Sequence, residues 1–427
     1  MLNWIKKTQV DEDALWENAL DLMPRGTQTM SKCPDQFVDG VYPKFAESAK
    51  GAYIKALNGK TYLDFMCGLG PIILGFNNSK VNRAIKKQLK KGIIFSLPTL
   101  LEQELAALIR EVVPCGEQTR FCKNGTDADL AAVRIARSYT KKDKILKAVG
   151  GYHGWGDWHA ITIRPYGVPS ALKDYIDEFE FNNLESLEIL LKKGDVAGVI
   201  IEPQALTTPA PGFLQGVRDL CTQYGAILIF DEVVTGFRWA LVGAQEHFGV
   251  TPDLACMGKA VANGMPLGII TGKKEYMEEL NHAFFSMTFG GEALSLAAAI
   301  TTIKELKKKD YNYLWKLGNL LDKGIKEAAT KHGLKVNFAG DAIRHNLSFD
   351  SSYEDAAGMK AIFYQEMVKQ GILFPNVIYI QFSHTEGDII KTINAADKAF
   401  KIVADNINDL DKVLEGKRSV DIFRKNT

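Results

Sequence analysis

With 427 residues, 46% apolar and 24% charged, the chain is long enough for more than one domain or lobe and has the make-up of an ordinary soluble globular protein. Lys and Arg number 52 against 51 Asp and Glu, so the formal net charge is +1, which argues against a nucleic-acid or membrane partner. No apolar stretch is long enough to span a bilayer. Cysteines 33, 67, 115, 122, 221 and 256 show neither metal-type nor redox-type spacing, so no metal is expected and a reducing, cytoplasmic setting is. The opening Met1-Leu-Asn-Trp-Ile-Lys-Lys has no long apolar run of the secretory kind.

In chain order, Asp11 to Met23 reads as an amphipathic helix. Gly51 to Phe65 reads as a hairpin, with Ala52 to Leu57 and Lys60 to Phe65 joined at Asn58-Gly59. From Glu102 to about Ile303, helical patterns alternate with apolar runs at Ile145–Ala148, Val196–Ile201, Ala226–Phe230, Leu254–Met257 and Leu267–Thr271. That alternation predicts a mostly parallel sheet with helices on both faces. Lys86 to Lys91 and Lys304 to Lys309 lie on helical patterns and read as solvated faces. A long helix near Gly291 to Lys309 leads out of this region. Beyond Asp310, helices are expected near Tyr311–His332 and Asp355–Gln370, and strands around Leu334–Ala339 and Ala342–Ser348. The expected division is an N-terminal segment 1–75 that joins a small lobe, a large domain 76–309 and a C-terminal small domain 310–427. The active site is expected in a crevice between lobes.

Three segments carry chemistry. Asp231 closes the run Ala226 to Phe230, and Leu254 to Met257 delivers Lys259 to the same edge. Open α/β sheets put ligand-contacting residues at the carboxyl ends of strands. A buried carboxylate and a lysine facing one crevice are what pyridoxal phosphate (PLP) requires. The lysine forms the Schiff base, and the carboxylate keeps the pyridine nitrogen protonated so that the ring acts as an electron sink. Either residue alone reads equally well as a strand-end surface group. The run Arg120-Phe-Cys-Lys-Asn124-Gly125-Thr126-Asp127 ends a strand and opens a helix over 127–139. There Gly125 allows close approach of an anion, Thr126 adds a hydroxyl and the helix start offers free N–H groups. A plain N-cap is the bland account of that turn. Tyr152, after a glycine pair, would stack on a flat ring or pack in a core.

Together these residues resemble the class III (fold type I) PLP-dependent aminotransferases, and within them the glutamate-1-semialdehyde aminomutase branch. The resemblance runs from about Ala52 to His384. It is carried by Gly-Leu-Gly-Pro-Ile-Ile-Leu-Gly (68–75), Asn124-Gly-Thr-Asp-Ala128, Gly151-Tyr-His-Gly154, Pro211-Gly-Phe-Leu214, Phe230-Asp-Glu-Val-Val-Thr-Gly-Phe-Arg238, Gly258-Lys259 and Gly264-Met-Pro-Leu-Gly268. It implies a large domain with a mostly parallel sheet flanked by helices, plus a smaller α+β lobe. It also implies Lys259 as the Schiff-base lysine and Asp231 as partner of the pyridine nitrogen. Gly125 and Thr126 would hold the phosphate, with Asn124 replacing a usual serine. Tyr152 and Val233 would cover the two ring faces, with His153 and Glu202 beside the cofactor. Thr288 matches a threonine that reaches the phosphate of a neighbouring subunit, which implies a homodimer with shared sites.

Departures from the pattern bear on the reaction. Lys32 stands where the aminomutases have an arginine that grips the substrate carboxylate, and the two are not interchangeable at a bidentate site. The segment Trp155 to Pro169 is shorter than the lid of the aminomutases. Glu292 follows Phe289-Gly-Gly in place of a Ser-Gly-Asn pattern, as a substrate contact or as a helix-start acid. Trp155, Trp158, Tyr166 and Glu292 are candidates for a pocket that takes a hydroxylated carbonyl compound. The expected activity is amino transfer from an amino acid donor to an aldehyde or ketone acceptor. The alternatives are intramolecular transfer as in the aminomutases, a decarboxylase or racemase on the same fold, and a non-catalytic PLP-fold protein.

Overall fold

In the structure, a computed structural model that describes residues 11–419, the chain forms two compact units. The opening run Met1 to Lys7 lies outside the described residues. One unit takes in Met1–Leu69, Gly75–Asn77 and Asn312–Thr427, the other Gly70–Leu74 and Asn78–Tyr311.

The first unit opens on α1 (Glu12–Leu22), capped by Asp11, whose carboxylate accepts the N–H groups of Asp13 and Ala14 at 3.0 Å. Strands β1 (Ala46–Lys50), β2 (Tyr53–Ala56) and β3 (Thr61–Asp64) follow as antiparallel neighbours. The turn at Asn58-Gly59 puts Gly59 at φ +83°, which glycine adopts without strain.

The second unit is built on α2 (Ser79–Leu89), α3 (Leu100–Val112), β4 (Gln118–Cys122), α4 (Gly125–Thr140), β5 (Lys144–Ala148), α5 (Asp157–Ile163), β6 (Ile176–Phe179), α6 (Leu184–Leu191), β7 (Val196–Ile201), α7 (Phe213–Tyr224), β8 (Ile227–Glu232), α8 (Ala244–Phe248), β9 (Leu254–Met257), β10 (Gly268–Gly272), α9 (Lys274–Met277) and α10 (Ala293–Leu306). Its seven-stranded sheet has the order β4-β10-β9-β8-β7-β5-β6. Only β10 runs against its neighbours, pairing antiparallel with both β4 and β9, so the sheet is mostly parallel as expected.

Strands β7 and β8 are buried at every position, because helices cover both faces of the sheet. Alternation along β8 sends Ile227 and Ile229 into one core, with Ala128, Ala132 and Ile135 of α4. Leu228 and Phe230 enter the other, with Leu187 of α6 and Leu214 and Val217 of α7. Several elements go beyond the expected set, among them β6 and α5 of this unit. Edge strand β6 (Ile-Asp-Glu-Phe) is too short and too charged to stand out, and α5 lies inside the segment after Gly154, where Trp158 and Ile161 are buried at a helical spacing. Helix α4 starts two residues earlier than expected, because Asn124 caps it by accepting the Asp127 N–H at 3.0 Å.

The chain returns to the first unit with α11 (Asn312–Lys331), β11 (Val336–Asp341), β12 (Arg344–Phe349), α12 (Ala356–Lys369), β13 (Ile372–Leu373), β14 (Ile378–Tyr379) and α13 (Glu386–Asp405). Strand β13 pairs parallel with β3, so segments far apart in the chain share the sheet β1-β2-β3-β13, while β11-β12-β14 form a second sheet. Among the described residues no helix is long and apolar enough to cross a membrane.

Candidate active site

Three parts of the second unit meet at the carboxyl edge of its sheet. The first is the end of β8. Asp231 continues the alternation of Ile227 and Ile229, so its side chain belongs to the α4 face of the sheet. It is 5% exposed, and its Oδ1 accepts the Val233 N–H at 3.0 Å. Its Oδ2 lies 2.7 Å from His153 Nδ1. A carboxylate only accepts, so the histidine carries its proton on Nδ1. His153 Nε2 is buried without a partner. His159 of α5 accepts the His153 backbone N–H at 3.2 Å on its Nε2. Burial, then the neighbouring His153 and Lys147, push the His159 pKa down to about 2, so that ring stays neutral.

The second part is the start of α4, a helix of 16 residues whose first turn leaves N–H groups for an anion. A methyl group on Gly125 would lie 2.7 Å from Val233 Cγ2, and one on Gly154 would lie 2.2 Å from Thr126 Oγ1. These two glycines therefore let the α4 turn, the end of β8 and the Tyr152–Gly154 loop close on one another. Tyr152 is 55% exposed, its ring is edge-on to His159, and its N–H donates to Glu202 Oε2 at 3.0 Å.

The third part is Lys259. Strands β8 and β9 are parallel with Asp231 opposite Cys256, so Lys259 emerges just past the same edge. It is half-buried and holds φ +42°, in the left-handed region that a lysine rarely adopts. Such backbone costs on the order of 1 kcal/mol or more and gathers at functional sites. Gly258, the residue before it, would bring a methyl group 3.5 Å from Val233 Cγ1, so Val233 touches both the helix start and the lysine turn. Asn263 closes that turn at φ +45° and accepts the N–H groups of Ile73 and Leu74 at 3.0 and 2.8 Å.

The remaining expected residues differ in their exposure and partners. Lys32 is exposed at the end of a short 3-10 turn in the first unit. Trp155 is 79% exposed, and Thr288 is exposed too. Glu292 caps α10, accepting from Leu294 N at 2.6 Å, from Ser295 Oγ at 2.6 Å and from Lys123 Nζ at 3.1 Å. Burial raises its pKa, but the bonds from Ser295, Lys123 and Leu294 outweigh burial and hold the carboxyl below its usual range. Its helix-start role accounts for its contacts. Trp158 is 5% exposed and packs with Ile161 and Ile176.

Sequence reasoning assigned nothing to Asp129, yet it is 1% exposed on the face of α4 turned to the sheet, and its carboxyl bonds the Cys256 thiol. The readable signal was a lone acid among Ala128, Ala131 and Ala132 at buried helical positions. The His153–Asp231 pair joins residues far apart in the chain, and only the fold reveals it.

Comparison with known proteins matches residues 38–379 to the family Aminotransferase class-III. The chain belongs to the class-III aminotransferase family. It is 36% identical to a 3-aminobutyryl-CoA aminotransferase of Cloacimonas acidaminovorans (strain Evry) over 399 residues, which is 90% of this chain and 94% of that one. It is also 36% identical to a glutamate-1-semialdehyde 2,1-aminomutase of Bacillus subtilis (strain 168), over 90% of this chain and 96% of that one. Among solved structures, the PLP form of the FumI protein of Sphingopyxis sp. MTA144 superposes with a TM-score of 0.88 at 27% identity, covering 93% of this chain and 97% of that one. An omega-transaminase from Sphaerobacter thermophilus gives 0.85 at 26% identity, covering 93% and 99%. This class-III chain therefore has the fold type I architecture.

Proposed function

We propose that this class-III aminotransferase works with pyridoxal phosphate and moves an amino group from an amino acid donor to a separate aldehyde or ketone acceptor. One observation carries the reading. The α4 N-terminus, the Asp231–His153 pair and the left-handed Lys259 share the carboxyl edge of the sheet, and Val233 is packed against both turns. That set fits the cofactor: an anion seat, a buried acid and an amine. When bound, PLP supplies a carbon that captures amines and a ring that accepts electrons from the substrate carbon.

The chain's own residues do the rest. The N–H groups of Gly125 and Thr126, with the Thr126 hydroxyl, bind the phosphate at the helix start, and Asn124 fixes that start by capping it. Tyr152 and Val233 would flank the ring of the bound cofactor. Asp231 holds a proton on the ring nitrogen, and His153 orients that carboxylate through Nδ1. Glu202 fixes the Tyr152 loop by accepting its N–H. Lys259 Nζ would hold the cofactor and, as an amine, would move a proton at the substrate carbon.

The chain works as a homodimer with shared sites. Ile93, Ile94, Phe95, Leu97, Leu100, Phe284 and Phe289 are exposed apolar side chains, and a 2.8 Å bond from Ala293 N to the Ile93 carbonyl ties the first group to the start of α10. Exposed apolar surface of this kind favours a partner, and Thr288 beside Phe289 is the residue that would reach the partner's phosphate. Six buried free thiols support a reducing, cytoplasmic setting.

Intramolecular transfer is the second reading, because the Bacillus subtilis relative carries an aminomutase name. Lys32 and the short segment after Gly154 favour the two-substrate reaction, in which the first product must leave. Borohydride should fix the cofactor to Lys259, and mapping to another lysine overturns the assignment. A common amino acid such as glutamate should convert the loaded enzyme to the pyridoxamine form with release of a free keto acid. Glutamate-1-semialdehyde alone, turned rapidly and near-stoichiometrically into 5-aminolevulinate, would make the aminomutase reading correct.

A further inference from the structure

The α4 face of the sheet holds a second acid that the proposed chemistry leaves unused. Asp129 sits one turn into α4, and its carboxyl meets the thiol of Cys256, the residue paired with Asp231 across β9 and β8. Two buried carboxyls thus stand beside one position of the sheet, and their partners differ. Asp231 receives the Val233 N–H on Oδ1 at 3.0 Å and the His153 Nδ1–H on Oδ2 at 2.7 Å. Asp129 Oδ1 is buried and has no partner. Donors stabilise a carboxylate, and one charge opposes a second beside it. Neighbouring acids titrate as a pair, and the proton goes to the member with fewer donors.

We propose that Asp129 is a positioning residue for Asp231: it keeps the proton of the pair, so that Asp231 alone carries the charge that meets the cofactor's ring nitrogen. The role rests on the reading of Asp231 given above. The groups facing Asp129 from the surrounding elements agree with it. Burial, then Asp231 of β8 and Glu202 beyond β7, drive its pKa well above the usual carboxylate range, and the Cys256 thiol of β9 and Lys259 beyond it oppose that shift without reversing it. Cys122 of β4 and Tyr152 of the loop after β5 also face it, and a charge on Asp129 would hold both toward their protonated forms.

The sign for stability follows. A raised pKa in the folded state means that Asp129 contributes stability fully below the ordinary carboxylate range. That contribution is lost as pH rises through the folded-state value. Asparagine resembles the protonated acid and removes the titration.

The test begins with the apoprotein, so its outcome is separate from whether Lys259 takes the cofactor. Infrared difference spectra of the parent against Asp129→Asn at neutral pH should show the loss of one protonated-carboxyl C=O band. The unfolding midpoint of the parent should fall with rising pH relative to the variant. Asp129→Thr gives the same two readings should the asparagine variant not fold. On the loaded protein, the variant lacks the negative charge that Asp129 takes up once pH rises through its folded-state value, so the midpoint of the pH titration of the visible band should fall below the parent's. Identical bands with parallel midpoints would overturn the protonation of Asp129. A lost band with an unshifted visible titration would overturn its positioning of Asp231.

Discussion

Asp231 and Glu232 are neighbours on β8, both acidic and both buried, and the two faces of the sheet make them different groups. Glu232 is fully buried on the face away from α4. It takes the Thr235 hydroxyl at 3.0 Å and the Ala244 N–H at 2.6 Å on Oε2, and Gln245 N and Nε2 at 3.2 and 3.0 Å on Oε1. Its lone pairs are saturated by the protein. Asp231 has two donors, which leaves it spare acceptor capacity. A saturated buried carboxylate braces a turn, and one with spare acceptor capacity is free to meet a ligand.

The sharpest way to break this contrast is to neutralise each acid. Asp231→Asn should fold normally but lower turnover by about 10²-fold or more, because the charge that holds the ring-nitrogen proton is gone. Steady-state rates within a few-fold of the parent would show that another group holds that nitrogen. Glu232→Gln should do the reverse. Its amide turns donors toward donors, and stability should fall by about 2 to 4 kcal/mol. Urea unfolding reads that loss, and an unchanged midpoint would mean that Glu232 braces nothing.

A smaller effect sharpens the geometry between the two turns. Gly125→Ala places a methyl group 2.7 Å from Val233 Cγ2. The contact should weaken PLP binding by about tenfold, equivalent to about 1.4 kcal/mol, by pushing the helix start away from the phosphate. Val233→Ala in the same chain should restore much of the affinity, since the two positions share one contact and are not additive. Equal affinity for parent and single variant, measured by cofactor titration, would show that the helix start does not hold the phosphate.

How much of this was legible follows from the range of each interaction. The central strands were readable because both their faces are buried, so Val196–Ile201 and Ile227–Phe230 stand out as unbroken apolar runs. Asp231 and Lys259 could be picked out because each follows such a run, and Gly125 because it opens a helix. Edge strand β6 and the two-residue strands β13 and β14 have no pattern of their own and exist only through their partners. The His153–Asp231 bond and the Asp129–Cys256 contact depend on α4 and the loop after β5 crossing one sheet face, which no local window contains. Trp158 shows the converse limit: an aromatic beside a motif reads the same whether it lines a pocket or fills a core.

Another buried acid, in the other unit, gives the mildest prediction and tests the rule that donor count decides. Asp64 ends β3, is 1% exposed, and accepts the Cys67 N–H at 2.8 Å and the Met66 N–H at 3.2 Å. It has two donors like Asp231, but both are neutral backbone groups. Burial outweighs them and pushes its pKa up to about 7. Its folded value is raised, so its contribution to stability is full below the ordinary carboxylate range. That contribution is lost as pH rises toward about 7. Asp64→Asn should therefore flatten the fall of the apoprotein's unfolding midpoint between mildly acidic and neutral pH, with one amide oxygen still there to accept a turn N–H. If the parent and the variant lose stability in parallel across that range, Asp64 is already charged. Two backbone donors would then be enough to hold a buried carboxylate ionised, and the contrast between Asp129 and Asp231 would rest on the missing partner of Asp129 Oδ1 alone.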